Sequence, residues 1–481
     1  MGSREMVFSS HLFLFYFLPL ALLCYWVLPQ RARHLGLTLF SYLFYGWSNP
    51  YFVFLMIAST VIDYVCGIVI SGSQERFGVR GSRTQRTALF VSIGANLALL
   101  GFFKYFNFGV DSYNTLLASM GLDHLQWDTF LLVTLPLGIS FYTFQSMSYT
   151  IDVYSARAKA VTNFIDFACY VSMFPQLVAG PIVRFHEIAR QLSERTHSLE
   201  KVARGVAFFS LGLAKKTLLA NPCGKVADLC FEAGSLEALE AWYGACAYAF
   251  QIYFDFSGYS DMACGLGLML GFVFPRNFDR PYLSRSITEV WQRWHISLSS
   301  WLRDYLYIPL GGNRLGAGRT YVNLALVMLL GGLWHGASVN FLLWGGFHGA
   351  LLMMERRLGE KSFGARVPAG FKVVLTFSLM LISWVFFRAP DVESAFGYLA
   401  SMFVLDSQAE AGAQLLSGVI YQPYYLITFL ISGFVVWGCR DTWEFTTRLP
   451  LLKAAFCIGL FLLSVIAMTA QAYNPFIYFI F

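Results

Sequence analysis

Apolar residues come in long runs with few charges between them. The runs fall near residues 7–28, 35–47, 50–70, 87–106, 130–150, 163–182, 203–220, 241–256, 258–274, 321–345, 346–354, 371–387, 424–438 and 452–470. Many approach the roughly 20 residues that carry a helix across a bilayer. Several are too short for that, or are interrupted by Pro136-Leu137-Gly138 and Ala179-Gly180-Pro181. Broken helices at membrane depth are tolerated only when buried in protein or lining a cavity. The pattern therefore predicts an all-α polytopic membrane protein with about 11 spans plus re-entrant segments. It reads as one continuous membrane domain over 1–481, with no internal repeat. Val7–Leu28 lacks an A-x-A cleavage site and reads as a retained helix. Met1–Glu5 reads as a tag or scar, with Met6 as the native start.

One segment has a different period. Thr288–Tyr305, placed on a single helix, puts Arg293, Ser297, Ser300 and Asp304 on a polar stripe. Trp291, Trp294, Leu298, Trp301, Leu302 and Tyr305 form the apolar stripe, and His295 falls on it. This predicts an amphipathic, Trp-rich helix at the membrane interface. A His on the buried stripe needs a hydrogen-bond partner, and a neighbouring carbonyl is the ordinary one.

Composition supports the membrane assignment: 57% of residues are apolar and 13% charged, against roughly 25% charged in soluble domains. Nine cysteines lie singly, with no C-x-x-C, which argues against a zinc site or disulfide framework. The net charge of +6 sits in short loops, as membrane orientation requires, and is no nucleic-acid signal. Arg31 and Arg33 after the first helix put the chain's start outside. Arg76, Arg80, Arg83 and Arg86 mark loop 71–87 as cytoplasmic, and seven arginines from Arg276 to Arg319 mark 275–320 likewise. Segments 108–129, 222–240 and 389–423 suit the outer side.

Candidate chemistry is sparse. No Asp, Glu, Lys or Arg occurs from Tyr321 through Met354, yet His335 lies within that stretch, in Leu333-Trp334-His335-Gly336. An ionisable group at membrane depth marks a functional site by default, and imidazole suits proton transfer near neutral pH. Gly332/Gly336 and Gly345/Gly349 predict close helix packing around it. His348, farther along, reads as structural. In Gln251–Asp261, the carboxylates of Asp255 and Asp261 could pair with arginine, orient a histidine or bind a cation, and Gly258 is a point where the helix could break. These signals leave two classes open: an enzyme built on His335, or a transporter whose path is lined by Asp255, Asp261 and His335.

The combination is more specific than its parts. MVFSSHLFLFYFLPL at 6–20, FPQLVAGPIVRF at 174–185, YFDFSGYSDMACGLGLMLGF at 253–272, SITEVWQRWHISLSSWLRDYLYIPLGGNR at 286–314, LLGGLWHGASVNFLLWGGFHG at 329–349 and NPFIYFIF at 474–481 together resemble the membrane-bound O-acyltransferases, in the bacterial branch that acetylates alginate. The resemblance implies a multi-helix shell around a funnel and a narrow tunnel. It implies that His335 is the catalytic base and His295 the second catalytic histidine, against the ordinary structural reading of His295. Trp334, Asp255, Asp261, Trp294 and Ser299 are the supporting candidates, and Arg293, Arg303 and Arg314 the candidates for donor phosphates. No metal or bound cofactor is implied. The implied donor is a cytoplasmic acyl thioester, acetyl-CoA. The acceptor is a polysaccharide hydroxyl or a periplasmic relay acetyltransferase beyond a bacterial inner membrane. Alginate leads; cellulose, another envelope polymer or D-alanylation of teichoic acid are alternatives. Direct transfer and an acetyl-histidine intermediate are both compatible with two histidines.

Overall fold

The computed structural model describes residues 6–77, 81–127, 133–233, 236–362, 367–404, 411–471 and 473–477, the side chains of 74–77, 360–362 and 411–415 excepted. Met1–Glu5, Arg80 and the Arg76 side chain, which carried expectations above, lie outside the described residues. All regular structure among the described residues is helical. The chain separates into two compact units, Met1–Ser198 with Leu270–Phe274, and Leu199–Met269 with Pro275–Phe481.

The first unit contains α1 (Leu18–Val27), α2 (Arg33–Gly46), α3 (Tyr51–Phe77), α4 (Arg83–Ser119), α5 (Ile139–Tyr154), α6 (Phe164–Ser172), α7 (Phe174–Leu177) and α8 (Phe185–Glu194). The expected loop at 71–87 is largely helical. α3 runs on to Phe77, and α4 starts at Arg83 because Ser82 caps it, its hydroxyl accepting from Gln85 N while the Gln85 side chain accepts from Ser82 N. Pro136-Leu137-Gly138 breaks the chain as expected: Gly138 is left-handed and α5 begins at Ile139. Two carboxylates are fully buried here, Asp63 and Asp152. Asp63 of α3 accepts from Ser92 Oγ (2.5 Å) and Asn96 Nδ2 (2.8 Å) of α4 and from Ser146 Oγ of α5, so a polar clasp joins three helices.

The second unit contains α9 (Leu199–Ala214), α10 (Asn221–Phe231), α11 (Ala238–Met269), α12 (Ile287–Arg293), α13 (Ile296–Leu302), α14 (Ala317–His335), α15 (Val339–Ser362), α16 (Ala369–Arg388), α17 (Val392–Ser401), α18 (Ala411–Ile420), α19 (Pro423–Gly438), α20 (Thr442–Phe445) and α21 (Leu451–Ala470). Across both units, four helices among the described residues are long and apolar enough to cross a membrane alone: α3 over Tyr51–Ser73, α4, α16 and α21. Leu462 and Ile466 of α21 are more than half exposed, a placement that only lipid makes favourable for so apolar a helix.

Three sequence expectations change in this unit. Gly258 does not break a helix; α11 is continuous for 32 residues. The glycine is there for contact, since a Cβ on it would lie 2.7 Å from the Gly212 carbonyl oxygen of α9. The run 321–345 is not one span. α14 stops at His335, Gly336 is extended, and α15 returns along it. The expected close packing is present: a Cβ on Gly332 would run into the Phe341 carbonyl oxygen and come within 3.4 Å of Gly345 Cα. Finally, Thr288–Tyr305 is not one helix. It is α12 and α13 with a break at Trp294-His295, followed by a wide π-turn over Arg303–Tyr307.

Gly258→Leu should destabilise detergent-purified protein by more than the ~1–3 kcal/mol typical of overpacking, seen as a lower melting midpoint, because backbone blocks it. Gly94→Leu, at a position with no atom within 4 Å of its Cβ, should melt like the parent. Equal effects of the two would rule out the close α9–α11 approach.

Candidate active site

The break between α12 and α13 is made by His295 itself, whose φ of 45° and ψ of 52° are left-handed. A non-glycine residue there costs roughly 1–2 kcal/mol, so something must hold it. Asn277 does. Its Oδ1 accepts from Ser297 N (3.2 Å) and Ser297 Oγ (2.9 Å), and lies 3.2 Å from His295 Nδ1. Its carbonyl oxygen accepts from Ile296 N (2.9 Å). The Ser297 backbone N–H can only donate, so it fixes the oxygen of the amide on this side. His295 Nδ1 must then carry the proton. The other nitrogen, Nε2, is a buried acceptor with no hydrogen-bond partner among the described residues.

His335 is the last residue of α14, where the helix reverses into α15. Its ring centroid lies 6.5 Å from that of His295. Trp334 packs edge-on to both imidazoles, at 5.9 Å and 5.0 Å. Trp344 and Phe387 close on His335 at 5.2 Å and 5.1 Å. Phe256 covers His295 at 4.7 Å. Beside His335 is a cavity of about 20 Å³, walled by Phe256, Trp294, Trp344, Trp384 and Phe387 and closed by Ile252 and Ile477. That is room for one water or a group of similar size. Among the described residues of the wall His335 alone is ionisable, and it is partly open whereas His295 is fully buried.

The structure thus brings together four of the sequence candidates: His335, His295, Trp334 and Trp294. The others sit elsewhere. Asp255 Oδ1 is 2.8 Å from Lys216 Nζ, and Asp261 Oδ2 is 2.6 Å from Lys215 Nζ and accepts from Thr442 Oγ1 at 2.6 Å. Both carboxylates therefore have a fixed cationic partner. The two lysines are adjacent at the start of a π-helical stretch, Lys215–Ala220, and reach different carboxylates of α11. Ser299 lies in the first turn of α13, its hydroxyl 3.4 Å from the Trp294 carbonyl oxygen. Arg293 is held by Glu289 (2.8 Å) and Asp279 (3.9 Å), and Arg303 by Asp304 (2.7 Å). Arg314 lies on an exposed glycine-rich turn and makes no ion pair among the described residues. His348 is fully buried between Trp291 and Trp344, and neither ring nitrogen has a hydrogen-bond partner there.

Asn277, Trp344, Trp384, Phe387 and Ile477 were missed by sequence reasoning. Asn277 stands in Pro275-Arg276-Asn277-Phe278, where nothing separates it from an ordinary loop asparagine. Trp344 shares the uncharged run with His335, so proximity in sequence could have found it.

Comparison with known proteins adds independent findings. Residues 92–388 match the membrane-bound O-acyltransferase family. A probable alginate O-acetylase of Pseudomonas putida is 44% identical over 98% of this chain and all of its own length. One from Pseudomonas aeruginosa is 49% identical over 83% of this chain and 75% of its own. A peptidoglycan O-acetyltransferase of Helicobacter pylori is 37% identical over 83% of this chain and 80% of its own.

The turn at His295 makes an inverted stability order the expected outcome. In a helix interior Gly is about 1 kcal/mol worse than Ala. At a left-handed position it is better by a similar amount. His295→Gly should therefore melt above His295→Ala in detergent. The reverse order would mean that the helix runs straight through 295.

Proposed function

Because the chain is a member of the membrane-bound O-acyltransferase family and an O-acyltransferase, we propose that it moves acetyl groups from acetyl-CoA on the cytoplasmic side of the bacterial inner membrane to an exopolysaccharide on the other side. Alginate is the polymer that the similarity to alginate O-acetylases favours, reached directly or through a periplasmic relay acetyltransferase. The observation that carries the reading is the pair of imidazoles at 6.5 Å, one of which, His335, lines a cavity of methyl-sized capacity.

The chemistry follows from the protonation pattern. The acceptor hydroxyl attacks the thioester carbonyl, the C–S bond breaks, and the proton leaves with the thiol. His335, partly open and next to the free volume, takes the hydroxyl proton as general base, a role worth typically 10²–10⁴-fold. The imidazolium formed gains from the partial negative charge at the end of α14. His295, with Nδ1–H given to Asn277, offers Nε2 as an acceptor that orients the hydroxyl. It could donate to the thioester oxygen only after protonation. A donor for that oxygen is available in Trp344, whose buried indole N–H has no hydrogen-bond partner among the described residues. Of the donor-binding arginines, Arg314 is the one not already spent on a carboxylate, and it suits the CoA phosphates. The lysine partners of Asp255 and Asp261 weigh against an ion-coupled transporter, because a bound cation would have to displace them.

His335→Ala should leave the protein folded and lower the release of CoA from acetyl-CoA at least ~10²-fold, the lower bound of general-base catalysis. Free-thiol assay on purified protein measures it. Release at the parent rate would remove the base from His335.

A further inference from the structure

One stretch touching the cavity has no regular structure of its own. Residues Tyr473–Ile477 have no regular structure beyond a single 3-10 residue, yet Phe476 and Ile477 are almost fully buried, and Ile477 lines the cavity beside His335. An irregular segment holds such a position only if its backbone is tied down. The ties are numerous. Tyr473 Oη donates to Asp228, whose other oxygen takes Arg388 at 2.6 Å. Asn221 Nδ2 donates to the Tyr473 carbonyl oxygen at 3.3 Å. Lys216 Nζ donates to the Pro475 carbonyl oxygen, and Ile477 N donates to Asp255 Oδ2 at 2.9 Å. The Lys216–Asp255 pair is thereby given a purpose: one charge holds a carbonyl of the segment, the other holds its N–H, and each neutralises its partner at 2.8 Å. Both side chains are 3% exposed or less, so solvent does not weaken the grip.

We propose that the tethered segment is the wall that limits the size of the transferred acyl group, with Ile477 as the specificity-determining residue and Lys216 and Asp255 as positioning residues. The inference rests on the acyl-transfer reading of His335. The free volume beside His335 is about 20 Å³, and the opposite walls are tryptophan and phenylalanine rings packed against one another. Ile477 is an aliphatic part of the wall on the one irregular, tethered segment. Its tether is made by the backbone, so shortening the side chain enlarges the cavity and leaves the segment tied. The free volume matches the methyl of an acetyl group, so a longer acyl chain beside the base would press on the walls, the Ile477 side chain among them.

The test compares acetyl-CoA with butyryl-CoA as donors for full-length purified protein, reading CoA release and subtracting the rate of His335→Ala. The parent should prefer acetyl-CoA. Ile477→Ala should raise the ratio of butyryl to acetyl kcat/KM at least tenfold, and Ile477→Val should raise it less. Tyr473→Phe, which frees one tether and leaves Asp228 with Arg388, should move the ratio the same way. Ile477→Val guards against a folding defect in the alanine variant, since it removes one methylene. An unchanged ratio in both Ile477 variants, with parental acetyl turnover intact, overturns the wall and leaves the transfer reading standing. Absence of His335-dependent CoA release in the parent overturns the transfer reading, and the wall with it.

Discussion

The site hangs on one amide oxygen. Asn277 Oδ1 accepts from the Ser297 backbone and hydroxyl and from His295, and so holds a left-handed residue between two short helices. The turn costs roughly 1–2 kcal/mol, and hydrogen bonds of this kind return about 0.5–1.5 kcal/mol each. Three of them are of the size needed to offset the strain. The same contact decides the tautomer of His295, and through it what that ring can do. A structural constraint and a chemical one are therefore met by a single side chain, at a position that neither hydrophobic periodicity nor charge would single out.

The surroundings of the pair follow a consistent electrostatic rule. Three ion pairs of the second unit lie outside the cavity wall: Lys216 with Asp255, Lys215 with Asp261, Arg388 with Asp228. The cavity wall itself is aromatic and aliphatic apart from His335. In such a wall a proton has one place to go, and water has little room to compete with the acceptor. Close helix contact supplies the rigidity. Gly332 lets α15 return tightly against α14, so the end of α14, and His335 on it, is fixed by backbone packing.

Much of this was legible in the sequence, for physical reasons that can be named. Runs of apolar residues dictate helices, and the described residues are helical throughout their regular structure. An ionisable residue in an uncharged stretch is expensive, and His335 is at the cavity. The glycine pairs meant contact, and contact is there. What failed shares one cause. Helical periodicity assumes that the helix continues, so it could not show α14 ending at His335, where Gly336 turns extended, or the turn at His295, which Asn277 holds from 18 residues away. The same assumption turned Gly258 into a breaker, when its small size serves the neighbouring helix. The lysine partners of Asp255 and Asp261 were invisible because each pair joins residues far apart in sequence.

The central claim is that His335 and His295 act on one transition state. A double-mutant comparison of CoA release tests it most directly, using His335→Ala, His295→Ala and both together. Groups that serve one step are strongly non-additive, so the double variant should fall no further than about the worse single one. Losses that multiply would mean that the two histidines act independently, and would contradict a shared site.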